Sequence, residues 1–234
     1  MKASWKQIKT DSGIMRIYLS LPYGAGPFPG VVVIHNQGGV SDILHITADL
    51  ASAGFAAAAP DMYYRDGLGC RDPAPTRRAR LRDASVITDV NTTVDFFKGQ
   101  QEVDGARIGI LGFCMGGRVT YLMAAANPSF KAAVMYYGGG ILGPWGDPPS
   151  PFERTAEIHC PIMGHFGAED TNPSPEDAQK FAAALTTHNK VYEFHSYAGA
   201  GHAFMNKTRD TYRQDAADLS WPRSVGFFAR HLAG

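Results

Sequence analysis

Six residues, Gly112-Phe113-Cys114-Met115-Gly116-Gly117, constrain this chain more than any other stretch. They follow the apolar run Arg107-Ile108-Gly109-Ile110-Leu111, which reads as a buried strand. They precede Arg118 to Ala126, an alanine-rich segment that reads as a helix stopped by Asn127-Pro128. Strand, sharp turn and helix in that order lift the turn residue above the sheet. Glycines two before and two after it relieve the crowding that such a turn creates. G-x-C-x-G is the cysteine form of this nucleophile elbow. A helix starting at the thiol brings its positive end and free N–H groups, which favour thiolate and can donate to an oxyanion formed beside it. The plainer reading is a small apolar cysteine at a tight junction, so the partners of the thiol have to decide.

The chain before the elbow reads as α/β. Met15, Ile17, Leu19 and Leu21 alternate with polar residues and predict a strand with one wet face, an edge hairpin arm closed by Pro22. Gly30 to Ile34 is continuously apolar, as a strand covered on both faces is, and His35-Asn36-Gln37-Gly38-Gly39 is its exit loop. Ile43, Ile46, Leu50 and Ala53 have helical spacing, with Gly54 as the stop, and Phe55 to Ala59 predicts the next buried strand. Met62 to Arg82 shows no periodicity and predicts a long loop over the strand ends. Its run Arg77-Arg78-Ala79-Arg80-Leu81-Arg82 reads as a solvated helix entry or as a grip for a substrate carboxylate. The helix after it carries Val86, Val90, Val94 and Phe97 on one stripe and ends near Gly99.

After the elbow, Ala132 to Tyr137 predicts a strand, and Pro144 to Pro151 a second long loop in which Trp145 is a pocket wall or a surface plug. Cys160 to Gly167 is strand-like. Ser174, Pro175 and Asp177 mark a helix start that turns Phe181 and Leu185 inward. Val191 to Tyr197 predicts the last strand. A closing helix follows, broken or kinked at Pro222, with Val225, Phe228, Ala229 and Leu232 on its inner stripe. The whole, residues 1–234, reads as one α/β domain, because no composition shift or linker divides it.

Three residues at the same sheet edge then form a set: Cys114 after one strand, Asp170 after a later one and His202 after the last. Nucleophile, acid and histidine in that chain order is how α/β-hydrolase triads run. His202 would take and return the proton, and Asp170 would fix its tautomer. Glu169 competes for the acid position.

These residues resemble those of a known family, the dienelactone hydrolases (carboxymethylenebutenolidases) of the α/β-hydrolase superfamily. The likeness is carried by the Gly112–Gly117 elbow, by Ala59-Pro60-Asp61-Met62-Tyr63, by Tyr136-Tyr137-Gly138, by Gly167 to Asp170 and by Gly201-His202-Ala203-Phe204. It implies an α/β-hydrolase fold, with a mostly parallel central sheet and helices on both faces. It implies Cys114 as nucleophile, Asp170 as orienting acid, His202 as base, and the backbone N–H groups of Met115 and Gln37 as the oxyanion hole.

Two positions depart from the family. Asn36 stands where the well-studied members have a glutamate in contact with the resting thiol, and a neutral amide cannot hold that proton. A resting thiolate paired with His202 is therefore expected. Asn206 stands where the family has an arginine for the substrate carboxylate. Arg209 lies nearby, and the arginine before the elbow cannot be placed within Arg71 to Arg82. Asn36, Tyr63, Tyr137, Trp145, Phe204, Asn206 and Arg209 are the candidate substrate contacts, and His35 reads as structural or pocket-lining.

Lys+Arg and Asp+Glu balance at 22 each, which gives no electrostatic reason to expect nucleic acid or an anionic membrane. Three cysteines without a C-x-x-C pair fit a reducing cytoplasm, and no apolar stretch is long enough to cross a bilayer. No metal or organic cofactor is implied. The expectation is a hydrolase of small carboxylic esters or lactones, acting through an acyl-thioester on a small-molecule substrate. The alternatives are a ligand-binding or thiol-sensing protein on the same fold, and an acyltransferase. The sequence leaves the oligomeric state open.

Overall fold

The computed structural model describes residues 1–234. Eight strands form one sheet: β1 (Lys2–Thr10), β2 (Gly13–Leu21), β3 (Phe28–Ile34), β4 (Ala56–Pro60), β5 (Val103–Phe113), β6 (Phe130–Tyr136), β7 (Ile162–Gly167) and β8 (Tyr192–Tyr197). Their spatial order is β1-β2-β4-β3-β5-β6-β7-β8. The β1–β2 and β2–β4 pairs are antiparallel and every other pair is parallel. Six α-helices accompany the sheet: α1 (Leu44–Ser52), α2 (Ala74–Ala79), α3 (Asp83–Lys98), α4 (Met115–Ala126), α5 (Pro175–Thr187) and α6 (Gln214–His231). This is the α/β-hydrolase architecture.

Both faces of the central strands are buried, which is why their sequences are continuously apolar. Along β3, Val32 and Ile34 join the core under α3, α4 and α5, while Val31 and Val33 join the core under α1 and α6. On α3, Val86, Val90, Val94 and Phe97 are each at most 1% exposed, so the i, i+4 stripe faces the sheet. Helix α5 begins with a reciprocal capping box: the Ser174 side chain accepts from the Asp177 N–H, and the Asp177 carboxylate accepts from the Ser174 N–H. Phe181 and Leu185 are buried beneath it.

Several expectations are corrected. The strand containing Met15 is the inner arm of the edge hairpin, and the outermost strand, β1, comes from residues before it that no pattern marked. Strand β1 is almost wholly exposed and shows no apolar alternation. It is held by a full antiparallel register from Lys2 opposite Leu21 to Thr10 opposite Gly13, and its lysines suit an unpaired edge. Residues 62–82 are not all loop, since Tyr64–Asp66 forms a 3-10 turn and Ala74–Ala79 is helical. Pro222 does not break α6, which runs unbroken for 18 residues. Proline removes a donor to the carbonyl four residues back, here that of Asp218. Both residues are exposed, so water can satisfy that carbonyl. Ala229 is exposed, and Phe227 takes the buried position beside Phe228.

No helix is long and apolar enough to cross a membrane.

Candidate active site

Cys114 sits between the end of β5 and the start of α4 with φ 56° and ψ −116°. A residue with a side chain in this region carries strain of roughly 1–3 kcal/mol that the surroundings must hold in place. They do so by close packing. A Cβ on Gly112 would lie 2.1 Å from the Gly116 carbonyl oxygen, and one on Gly116 would lie 2.3 Å from the Ile34 carbonyl oxygen. The Cys114 N–H is fixed by the Tyr136 carbonyl at 3.0 Å, and its carbonyl accepts from the Arg118 N–H at 3.2 Å. The turn therefore allows only glycine on either side, and α4 starts at the residue after the thiol.

The loop after β7 brings in Asp170, which is 3% exposed. Its two carboxylate oxygens have separate partners: Oδ1 accepts from the Asn172 N–H at 2.8 Å, and Oδ2 faces Nδ1 of His202 at 2.9 Å. Glu169 is exposed, and it is Asp170 that meets the His202 ring. The His202 ring lies edge-on to Tyr137 at 5.1 Å and lines the same cleft as Cys114. Cys114, Asp170 and His202 are thus brought together.

Burial opposes charge on both the thiol and the imidazole, and in both it is outweighed. The thiol pKa is lowered against that burial by the hydrogen bond and charge of His202 and by the backbone N–H groups of Met115 and Gln37. The imidazole is pushed up to about 10 against its own burial, by hydrogen bonds to Asp170 and Cys114 and by the charges of both. Both shifts favour the thiolate–imidazolium form of the pair over the neutral one.

The Gln37 N–H is aimed by a loop with four fastenings. His35 is fully buried and its pKa is lowered, foremost by that burial. Its Nε2 accepts from the Met62 N–H at 3.1 Å, so Nδ1 carries the proton and donates to the Asn36 carbonyl at 2.6 Å. The Asn36 side-chain oxygen accepts from the Gly38 N–H at 2.7 Å, and Tyr63 donates its hydroxyl to the Gln37 carbonyl at 3.1 Å. His35 and Tyr63 therefore act behind the loop. Tyr63 is 2% exposed and lines neither part of the cleft described below.

The cleft has two lobes that meet at Gln37, Cys114 and His202. One, of about 220 Å³, is lined by Arg78, Trp145 and Asn172. The other, of about 340 Å³, is lined by Asn36, Tyr137, Asn206 and Arg209. Phe204 is fully buried against Tyr136, Tyr137 and Tyr197 and belongs to the core, not to the cleft. The arginine run sorts itself by partner. Arg77 pairs with Asp66 and lies 4.3 Å from the Tyr63 ring centre, Arg80 pairs with Asp66 and Asp72, and Arg82 donates to backbone carbonyls of Ala79 and Leu81. Arg78 has no ion-pair partner and faces the cleft.

One device escaped the sequence reading. Arg118 is fully buried on α4 and grips both Asp83 oxygens at 2.6 and 2.9 Å. It also donates to the carbonyls of Gly140 and Gly143, and its guanidinium lies 3.8 Å from the Trp145 ring centre. Asp83 accepts from the Trp145 N–H at 2.9 Å and donates its own N–H to the Trp145 carbonyl at 2.8 Å. The pair ties the wall loop of the smaller lobe to the elbow helix. The available signal was an arginine in an otherwise apolar helix beginning at the thiol.

No group of three or more His, Cys, Asp or Glu side chains is placed to hold a metal ion.

Residues 15–232 match the model of the dienelactone hydrolase family. A Methylorubrum extorquens protein named as a carboxymethylenebutenolidase is 32% identical over 96% of this chain and 80% of its own. A Bradyrhizobium protein named for 2-oxo-3-(5-oxofuran-2-ylidene)propanoate lactonase activity is 33% identical over 98% of this chain and 95% of its own. Among solved structures, one named as a dienelactone hydrolase from Klebsiella pneumoniae superposes with a TM-score of 0.90 at 31% identity, covering 98% of each chain.

Proposed function

This chain belongs to the dienelactone hydrolase family, whose members are hydrolases of lactones or esters, and on that premise we propose that it cleaves small carboxylic esters or lactones through Cys114, His202 and Asp170. The observation that carries this reading is that Cys114, His202, Met115 and Gln37 line one cleft, with Asp170 behind the imidazole at 2.9 Å. In this reading the Cys114 thiolate attacks the carbonyl carbon. The N–H groups of Met115 and Gln37, already aimed at the sulfur, receive the oxyanion as the tetrahedral intermediate forms. The His202 imidazolium protonates the departing alkoxide, leaving an acyl-thioester.

The same charges prepare the second half-reaction. Two of the four contributions that raise the His202 pKa come from Cys114. Acylation removes the sulfur's charge, so the imidazole falls back toward its ordinary range and becomes a base for water. Water loses its proton to His202 and attacks the thioester. Collapse of that intermediate expels the thiolate and releases the acid. Asp170 holds Nδ1 protonated throughout, so that Nε2 serves the reacting atoms.

Arg78 supplies a free cation for a substrate acid group in the smaller lobe, and Arg209 one in the larger. A propanoate named in a relative's activity is an acid of this kind. The neutral residues Asn36 and Asn206 line the larger lobe where the resembled family carries charge, so the acid group is assigned to the Arg78 side.

The test is turnover of p-nitrophenyl acetate and of a small unsaturated lactone, followed by mass spectrometry of enzyme quenched during turnover. The expected result is an acyl adduct on Cys114 and loss of turnover in Cys114→Ala. Turnover retained in that variant, or an adduct elsewhere, would overturn the assignment.

A further inference from the structure

Three cavities lie end to end beside the loop that follows His202. The larger lobe of the cleft shares Asn36, Tyr137 and Asn206 with a space of about 20 Å³, room for about one water. That neck shares His45, Ile46 and Met205 with a further cavity of about 120 Å³, which reaches Ala217 and Trp221 on α6. The series therefore leads from Cys114, behind the oxyanion loop, to a pocket between α1 and α6. Its charged lining residues, such as Asp49, Lys207 and Asp218, are exposed at the solvent end. Ile46 and Ala217 are buried and give it an apolar interior.

Met205 is the residue at the constriction that can move without disturbing the fold. Its main chain is fixed from both sides, because the Phe204 carbonyl accepts from the Arg213 N–H at 3.0 Å and the Asn206 N–H donates to the Ala203 carbonyl at 2.9 Å. Its side chain is half-buried at the margin of the core under α1 and α6, and its one hydrogen bond is a 3.3 Å contact from the Ser220 hydroxyl to the thioether sulfur. An unbranched thioether with three rotatable bonds can leave that position at little cost, whereas Ile46 is branched and fixed on a helix.

We propose that Met205 gates an apolar side pocket that takes the hydrocarbon tail of a substrate whose carbonyl lies at Cys114, so that this residue sets tail-length preference. This rests on the ester-hydrolase reading above for the identity of the ligand. The gate and the pocket are properties of the fold itself.

Met205→Ala widens the neck and Ala217→Leu fills the pocket beyond it. Tail preference is read as the ratio of kcat/KM for p-nitrophenyl octanoate over acetate, and for octyl acetate over ethyl acetate. The two series distinguish an acyl tail from an alcohol tail. In parallel, the rate of Cys114 labelling by N-octyl and N-methyl chloroacetamide reports the pocket without any turnover. Met205→Ala is expected to raise the octyl preference about tenfold in labelling and in one ester series, since each buried methylene is worth roughly fourfold. Ala217→Leu, alone or added to Met205→Ala, is expected to lower it, which separates pocket filling from a general loosening of the loop. Unchanged octyl-to-methyl labelling ratios across all three variants overturn the proposal. If no ester is turned over while the labelling ratios respond, the hydrolase reading falls and the gated pocket stands.

Discussion

Asp170 Oδ2 lies 2.9 Å from His202 Nδ1, while its other oxygen is held by the Asn172 N–H at 2.8 Å. The carboxylate therefore cannot turn away from the ring without abandoning a second bond in a site where it is only 3% exposed. That double tether fixes both the tautomer and the direction of the imidazole. Asp170→Asn keeps the shape but removes the charge, and its amide can donate to Nδ1 and place the imidazole proton on Nε2. The expected loss in kcat is on the order of 10³–10⁴-fold. Steady-state kinetics measures it, and a loss of less than tenfold would mean that another group orients His202.

A resting thiolate at Cys114, favoured by His202, would have a pH signature. The thiol is lowered from its ordinary value by the His202 hydrogen bond and charge and by two backbone N–H groups, all acting against burial. Iodoacetamide alkylation, which follows thiolate, should therefore persist at pH values below the usual thiol range and decline only as pH falls through the lowered pKa. His202→Gln removes the partner charge and should move the inflection up. Asn36→Glu places an anion in the lobe beside the sulfur and should also move it up. Once the inflection lies above pH 7, alkylation at that pH should slow about tenfold for each further pH unit that it climbs. A wild-type inflection at the value of free cysteine would exclude the resting thiolate.

Those parts of the site that depend on local chain geometry were readable before any coordinates. The elbow is one, because a strand, two required glycines and a helix lie within a few residues of Cys114. The Ser174 capping box and the Val86 stripe are likewise set by contacts three or four positions apart. What escaped depends on partners far along the chain. Strand β1 has no apolar period and forms because β2 offers its ladder. Phe204 and Tyr63 carry the same aromatic character as Trp145, yet only Trp145 lines the cleft, and that choice is made by packing against residues from other strands. The arginine run illustrates the point most directly. Four similar side chains sit within six positions, and only the placement of Asp66 and Asp72 leaves Arg78 free.

Arg78 is consequently the side chain that separates acidic from neutral substrates. It is exposed and unpaired at the smaller lobe, so removing it breaks no bond within the protein. Arg78→Ala is expected to raise KM about tenfold for an ester or lactone bearing a carboxylate, with kcat and all parameters for a neutral ester nearly unchanged. Arg209→Ala provides the comparison from the other lobe. Equal effects of Arg78→Ala on charged and neutral substrates would remove it from carboxylate recognition.

The Asp83–Arg118 pair has a different balance, because Arg118 is fully buried and every contact it makes is internal. Removing one partner strands the other charge in an apolar setting, whereas removing both leaves no charge to desolvate. Asp83→Asn alone is therefore expected to cost about 3–5 kcal/mol in urea unfolding. Asp83→Leu combined with Arg118→Met should cost less than that single change, since the buried charge is gone. The two variants should part company again in the cleft. With the guanidinium lost, the ring of Trp145 loses the cation 3.8 Å from its centre, and the carbonyls of Gly140 and Gly143 lose their donor. Stability near that of the wild type should then accompany a raised KM for substrates that occupy the smaller lobe, while alkylation of Cys114 stays as fast as before. Trp145 fluorescence, red-shifted in the double variant as the indole gains solvent, reports whether the wall has come loose. A double variant with unchanged KM and emission would mean that the pair supports the fold and has no part in shaping the cleft.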